Sequence, residues 1–331
     1  MGIGLFRFIL AILVLLGHGK INTGNFNIAV SAVVCFFIVS GFLNSILIEK
    51  YYFKEKISDY YLDRFYRIGP QFYFYFVLII LLNHFLKVID VTFLKVLLNL
   101  PIFTLGYYKI FDNIFGIPED YFININPPSW SLGLEVTFYL IVPFILIKYK
   151  KYLNLFFIIS LLFFILISLF KFNVDLLGYR LIPGTLFIFL IGSFLYYNKN
   201  SQKKIIFVML LIMILCISFI FFKKEYQSVF YLKEVVFGII LGTVILSKIK
   251  NIKSNKLDLF FGNISYGIFL NHYFIIRIIE KKFNLVSGSF AILSFVILIS
   301  VLLSIFSYYF IERRITIFRK KVRSIKNPTL S

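Results

Sequence analysis

The chain has 331 residues, of which 60% are hydrophobic, 20% aromatic and only 15% charged. That charged fraction falls well below the quarter or so usual in soluble domains, and no polar stretch is large enough for a separate fold, which excludes an ordinary water-soluble enzyme. The net charge of +20 is spread over short polar breaks and a basic terminal stretch, RRITIFRKKVRSIK, rather than gathered on one face, which argues against a nucleic-acid partner.

A helix crosses a bilayer core about 30 Å thick with roughly 20 mostly apolar residues. Ten segments fit, at about 5–20, 28–48, 70–88, 131–149, 153–171, 180–197, 204–222, 229–248, 263–280 and 289–311. The first, MGIGLFRFILAILVLLGHGK, lacks a small-x-small cleavage site and has Phe6 where a myristoylation signal needs Ser or Thr, so it reads as a retained helix. Segment 91–110 reads as a half-helix or a re-entrant piece. It lies in a long loop, 89–130, rich in Asn, Pro and aromatic residues. With the N-terminus inside, 23 of the 35 lysines and arginines fall on the cytoplasmic side, as the positive-inside rule requires. The expected fold is therefore an all-α polytopic integral membrane protein with about ten transmembrane helices and both termini cytoplasmic. Residues 1–312 form the transmembrane domain and 313–331 a basic cytoplasmic tail, with the long loop external. Cys35 and Cys216 lie in apolar segments and read as small hydrophobes, not as a disulfide or metal pair.

Ionisable groups inside spans are costly and mark functional sites by default. On the first helix Arg7 and His18 are eleven positions apart, which places them on one face about 16 Å apart along the axis. In PPSWSLGLEVTFYL, Ser131, Glu135 and Tyr139 stand at i, i+4 and i+8, a polar stripe behind the single tryptophan, Trp130. Glu135 and His18 are expected at similar depth, where a carboxylate facing an imidazole would fix its tautomer and make it a base. Arg64 and Arg67, one turn apart before Pro70, fit a phosphate clamp as well as simple anchoring. Ser265 and His272 share a face of the ninth helix, with His272 near mid-membrane. His84 has no polar stripe around it and reads as structural.

Taken together these segments resemble the acyltransferase-3 family of membrane proteins, which O-acylate bacterial surface glycans and some other acceptors. The resemblance is carried by Arg7-x10-His18, FFIVSGFL (Phe36 to Leu43), Arg64-x-x-Arg67 with Ile68 and Pro70, WSLGLEVTFYL, ISYGIFLNH (Ile264 to His272) and SYYFIERR around Glu312. One departure is visible, in that Arg313 and Arg314 follow Glu312 where the family often has proline. The resemblance implies an acyl-CoA donor, usually acetyl-CoA, taken from the cytoplasm, and no metal. It implies His18 as the catalytic histidine with Arg7 its functional companion, Glu135 on the acceptor side, and Arg64 and Arg67 serving donor binding or the fold near it. A cytoplasmic mouth lined by Arg7, Arg64 and Arg67 would hold the donor's phosphates. Ser131, Tyr139, Ser265 and His272 complete the candidate site. Expected partners are acyl-CoA, a surface or lipid-linked glycan acceptor and membrane lipid, in a multi-pass protein of the cytoplasmic (inner) membrane that stands alone, without an appended esterase-like domain. His18 would deprotonate an acceptor hydroxyl or be acylated first, and the sequence leaves both routes open. A transporter or flippase of a glycan or lipid-linked intermediate is the rival reading, with His18, Glu135 and His272 lining its pathway.

Overall fold

The computed structural model describes residues 1–20, 26–53, 57–115, 124–170, 172–197, 231–283 and 288–326. Helices occupy nine of the ten expected segments, and the remaining one, 204–222, lies outside the described residues. In chain order the helices are α1 (Ile3–His18), α2 (Ile28–Leu47), α3 (Ile57–Leu86), α4 (Phe93–Asn99), α5 (Tyr108–Phe115), α6 (Trp130–Pro143), α7 (Leu153–Leu169), α8 (Ile182–Tyr197), α9 (Leu232–Ile249), α10 (Lys256–Phe283), α11 (Phe290–Ser307) and α12 (Arg313–Lys326). Counting their short 3-10 and π-helical extensions, six among the described residues are long and apolar enough to cross a membrane: α2, α3, α6, α7, α10 and α11. The apolar helices α1 and α8 are shorter, at 16 residues each.

The bundle is built around α2, whose apolar window is 83% buried. Lipid supplies no hydrophobic drive between helices, so close approach depends on small residues. Gly17 of α1 lies against Ala29, Gly192 of α8 against the backbone of Ile38 and Phe42, and Gly238 and Gly242 of α9 against Ser31 and Cys35. Gly41 of α2 in turn meets the carbonyl of Phe189, so the α2–α8 crossing admits no Cβ from either side. Gly192→Leu is accordingly expected to destabilise the fold by at least ~1–3 kcal/mol, the usual range for overpacking. The check is the thermal midpoint and monodisperse yield of the detergent-solubilised variant.

A polar ladder joins α3 to the last helices. Asp63, Arg67, Gln71 and Tyr75 recur every four residues, on one face of α3. Arg67 is ion-paired with Glu312, Gln71 donates to the Ser307 hydroxyl at 3.1 Å, and the Tyr75 and Ser307 hydroxyls are 2.8 Å apart. Asp63 accepts from Arg319 Nε at 3.1 Å and Arg323 Nη2 at 2.7 Å, as well as from its neighbour Arg64. The basic stretch expected as a tail thus runs on from α11, through a π-helical turn at Tyr308–Glu312, as helix α12 docked on α3. The cause is local charge: a buried carboxylate at Asp63 requires cations, and α12 supplies two.

Segment 91–110 breaks into α4, a 3-10 turn at Ile102–Gly106 and the start of α5, each too short to cross a bilayer. Gly106 packs on Gly133 of α6, where a Cβ on either would meet backbone. The asparagines of this region satisfy backbone groups. Asn83 Oδ1 accepts from the amides of Val88 and Ile89, Asn99 Oδ1 accepts from the amide of Ile125, and Asn126 Nδ2 donates to the Leu270 carbonyl at 2.7 Å. The last of these ties the loop to α10, two residues from His272.

Candidate active site

Two cavities lie end to end between the helices. The larger, an open space of about 730 Å³, is walled by α1, α2, α3, α6 and α10 and receives Arg7, Arg64, Arg67, Ser131, Glu135, Tyr139 and Ser265. Seven of the nine site residues expected from sequence therefore meet in one chamber. The polar stripe of α6 faces it as a unit: Tyr139 donates to Glu135 Oε1 at 2.5 Å, and Ser40 of α2 donates to the same oxygen at 2.7 Å. Ser131 and Ser265 turn their hydroxyls to backbone, donating to the carbonyls of Pro128 and Gly262. The three arginines differ in their partners. Arg64 is held by Asp63 at 2.5 Å and lies over the Tyr139 ring, and Arg67 is held by Glu312 and lies over Tyr266. Arg7 makes no ion pair with any described residue, so it is the cation of the chamber with its donors uncommitted.

The second cavity, about 410 Å³, lies beyond the first and is lined by His18, Asn27, Trp130, Tyr179, Arg180 and Tyr231 among others. Val33 of α2, Ser131 of α6 and Phe269 of α10 line both spaces, and form the constriction between them.

His18 is not paired with Glu135. Its Nδ1 lies 3.0 Å from Nε2 of His272, which is fully buried on α10. The expected Glu135–His18 contact is corrected by the rise of α6: Glu135 is five residues past Trp130, about 7.5 Å further along the axis, and so on the other side of the constriction. His272, expected near mid-membrane, is level with His18, which was expected near the outer end of α1. Its Nδ1 is 2.9 Å from the carbonyl oxygen of Ile268.

That last contact fixes the protons of both rings. A carbonyl only accepts, so His272 Nδ1 carries hydrogen. In the neutral ring its Nε2 is then an acceptor, and the proton in the 3.0 Å contact belongs to His18 Nδ1. The remaining nitrogen of His18, Nε2, is left with a free lone pair. A neutral imidazole with its lone pair on a defined atom, in a cavity, is equipped to take a proton or to act as a nucleophile.

Two features escaped the sequence reading. The His18–His272 contact joins residues 254 apart, and no local spacing announces it. Arg180 was visible as an ionisable residue at the edge of an apolar segment, the same signal that singled out Arg7. Cys35 is buried and donates its thiol to the Gly238 carbonyl, whereas Cys216 lies outside the described residues.

In comparison with known proteins, the family described as "Acyltransferase domain" matches residues 2–309. An uncharacterized protein of Aquifex aeolicus is 32% identical over 210 residues, 60% of this chain and 89% of that protein. The peptidoglycan O-acetyltransferase OatA of Listeria monocytogenes is 27% identical over 288 residues, 73% of this chain, but the match spans only 44% of the Listeria protein. No solved structure matches the chain.

Proposed function

Since the chain belongs to the acyltransferase-3 family of multi-pass membrane proteins, we propose that it moves an acyl group, in the first instance acetyl, from cytoplasmic acyl-CoA to a hydroxyl of an extracytoplasmic glycan. The observation that carries this reading is the His272-fixed lone pair on His18 Nε2, in a cavity that continues from a chamber lined by three arginines. CoA is highly charged at one end and slim at the other. Its phosphates belong at Arg7, Arg64 and Arg67, and its pantetheine arm spans the roughly 16 Å of α1 between Arg7 and His18. His18 Nε2 takes the acceptor hydroxyl proton as the oxygen attacks the thioester carbonyl; the C–S bond breaks and the thiolate recovers that proton. Acylation of His18 before transfer would use the same nitrogen. The Listeria relative acts on peptidoglycan by its printed name, which supports a glycan acceptor here.

The test is CoA release from acetyl-CoA by detergent-purified protein supplied with crude cell-envelope glycan. Glycan-dependent release is expected; none, with folded protein at high donor concentration, would overturn the reading. Within it the arginines separate. Arg7→Ala removes a cation that makes no ion pair among the described residues and leaves Glu135, which it faces, its hydrogen bonds from Ser40 and Tyr139. It is therefore expected to raise the donor KM about 10-fold or more with little change in thermal midpoint, the scale of one charged hydrogen bond. Arg64→Ala raises the donor KM less, because Asp63 already neutralises that side chain. Equal effects of the two would break the link between pairing and donor affinity. Titration of donor concentration with each variant measures this.

A further inference from the structure

The chemistry proposed above leaves one charge unaccounted for. When the acceptor oxygen adds to the thioester carbonyl, the carbonyl π pair moves onto oxygen, and that anion develops on the His18 side of the constriction. The arginines of the larger chamber lie on the other side, Arg7 being about 16 Å from His18 along α1. An oxyanion left in a cavity walled by Val14, Val33 and Phe269 is strongly disfavoured unless a donor is already aimed at it.

Among the described residues lining this cavity, Arg180 is the single Lys or Arg. It follows a π-helical turn, Val174–Tyr179, just before α8. Its guanidinium lies 4.1 Å from the Trp130 ring centroid, and its Nε donates to Asp175 Oδ1 at 2.9 Å. The other oxygen of Asp175 is taken by Lys109 Nζ at 2.6 Å, so the carboxylate is shared between two cations. The guanidinium is thus fixed by one edge and one face. Its Nη protons make no hydrogen bond among the described residues, and the side chain is 15% exposed, within a cavity rather than on an open surface.

We propose that Arg180 is a catalytic residue, whose Nη protons bind the oxyanion of the tetrahedral intermediate. This rests on the acyltransfer reading. The acceptor proton passes to His18 Nε2 as the C–O bond forms, and the carbonyl oxygen takes the negative charge against Arg180. The pair then returns to carbon, the C–S bond breaks and the thiolate sulfur takes the proton from His18. Stacking on Trp130 and the bond to Asp175 hold the fork in place before reaction, so that no reorganisation is needed as charge develops. The planar fork matters as well as the charge, and lysine is not equivalent.

The experiment compares wild type, Arg180→Ala and Arg180→Lys in two reactions: transfer to crude envelope glycan, and hydrolysis of acetyl-CoA with no glycan present. Water and a sugar hydroxyl generate the same oxyanion, so both rates are expected to fall together, by about 10²–10³-fold in kcat for Arg180→Ala, with the donor KM unchanged. Arg180→Lys is expected to keep a large deficit, and guanidinium chloride at millimolar concentration to restore part of the Arg180→Ala rate. A fall in glycan transfer alone, with hydrolysis intact, would make Arg180 an acceptor anchor and overturn the proposal. So would a loss in both reactions that guanidinium does not relieve and that tracks a lowered thermal midpoint. Should Arg180→Ala not fold, Arg180→Lys at wild-type kcat would overturn it equally. Absence of turnover in wild type removes the acyltransfer reading itself, whereas normal turnover in a folded Arg180→Ala removes only this step.

Discussion

His18→Ala is expected to lower CoA release at saturating acetyl-CoA by about 10²–10⁴-fold while the protein remains inserted and folded. The size follows from what is removed: the lone pair that the hydrogen-bond chain from Ile268 through His272 leaves on a ring lining the second cavity. Stability should change little, because His18 is the last residue of α1 and borders a cavity rather than filling a packed core. The donor KM should hold, since the arginine chamber is untouched. Matched membrane fractions, a thermal scan and CoA release with a thiol reagent are sufficient. Wild-type turnover in the variant would remove His18 from the chemistry and, with it, the central claim.

His272→Leu is the second large effect. Leucine takes away the His272 acceptor and leaves the His18 ring only the Val14 carbonyl as a hydrogen-bond partner among the described residues, so the ring is held less firmly and the tautomer with its lone pair on Nε2 is less favoured. A loss of ~10²-fold in kcat is expected, because a general base in the wrong tautomer contributes little of its usual factor. His272→Gln places an amide oxygen on a side chain of similar reach and is expected to recover much of the rate, which a purely steric role for His272 would not produce. Glu135→Gln supplies the contrast. A carboxylate on the far side of the constriction, bonded to Ser40 and Tyr139, should affect the His18 step less than His272→Leu. The reverse ranking would restore Glu135 as the orienting group.

Much of this architecture was legible in the sequence, for definite reasons. Apolar runs locate helices because a bilayer leaves the backbone no other way to satisfy itself, and every described expected span is helical. Polar residues at helical spacing identified one shared chamber, because Arg7, Arg64, Arg67 and the Ser131–Glu135–Tyr139 stripe are each costly to face lipid. Depth was the weaker inference. Judging Glu135 and His18 level required the boundaries of α1 and α6 to within a turn, and the 3-10 lead-in Pro127–Ser129 sets the start of α6. One turn moves a side chain about 5.4 Å, enough to exchange a carboxylate partner for an imidazole. The helical continuation into α12 was hidden for another reason: its basic residues read as a solvated tail until Asp63, some 250 positions away, is brought against Arg319 and Arg323.

The glycine contacts around α2 bear on membrane permeability. Val33, one wall of the constriction, is carried by a helix that packs against α1, α8 and α9 at backbone distance. Phe269, half-buried on α10 and packed against Phe36 and the His272 ring, is the bulky side chain that shares the constriction with it. On the proposed reading the slim arm of the donor would thread this constriction with no need for the helices to rock apart. An arm in place would plug the constriction, and without one an aromatic ring and a valine stand between the two spaces. If the proposed transfer holds, the same few side chains that admit an acyl group would also keep protons from running down their gradient through the protein.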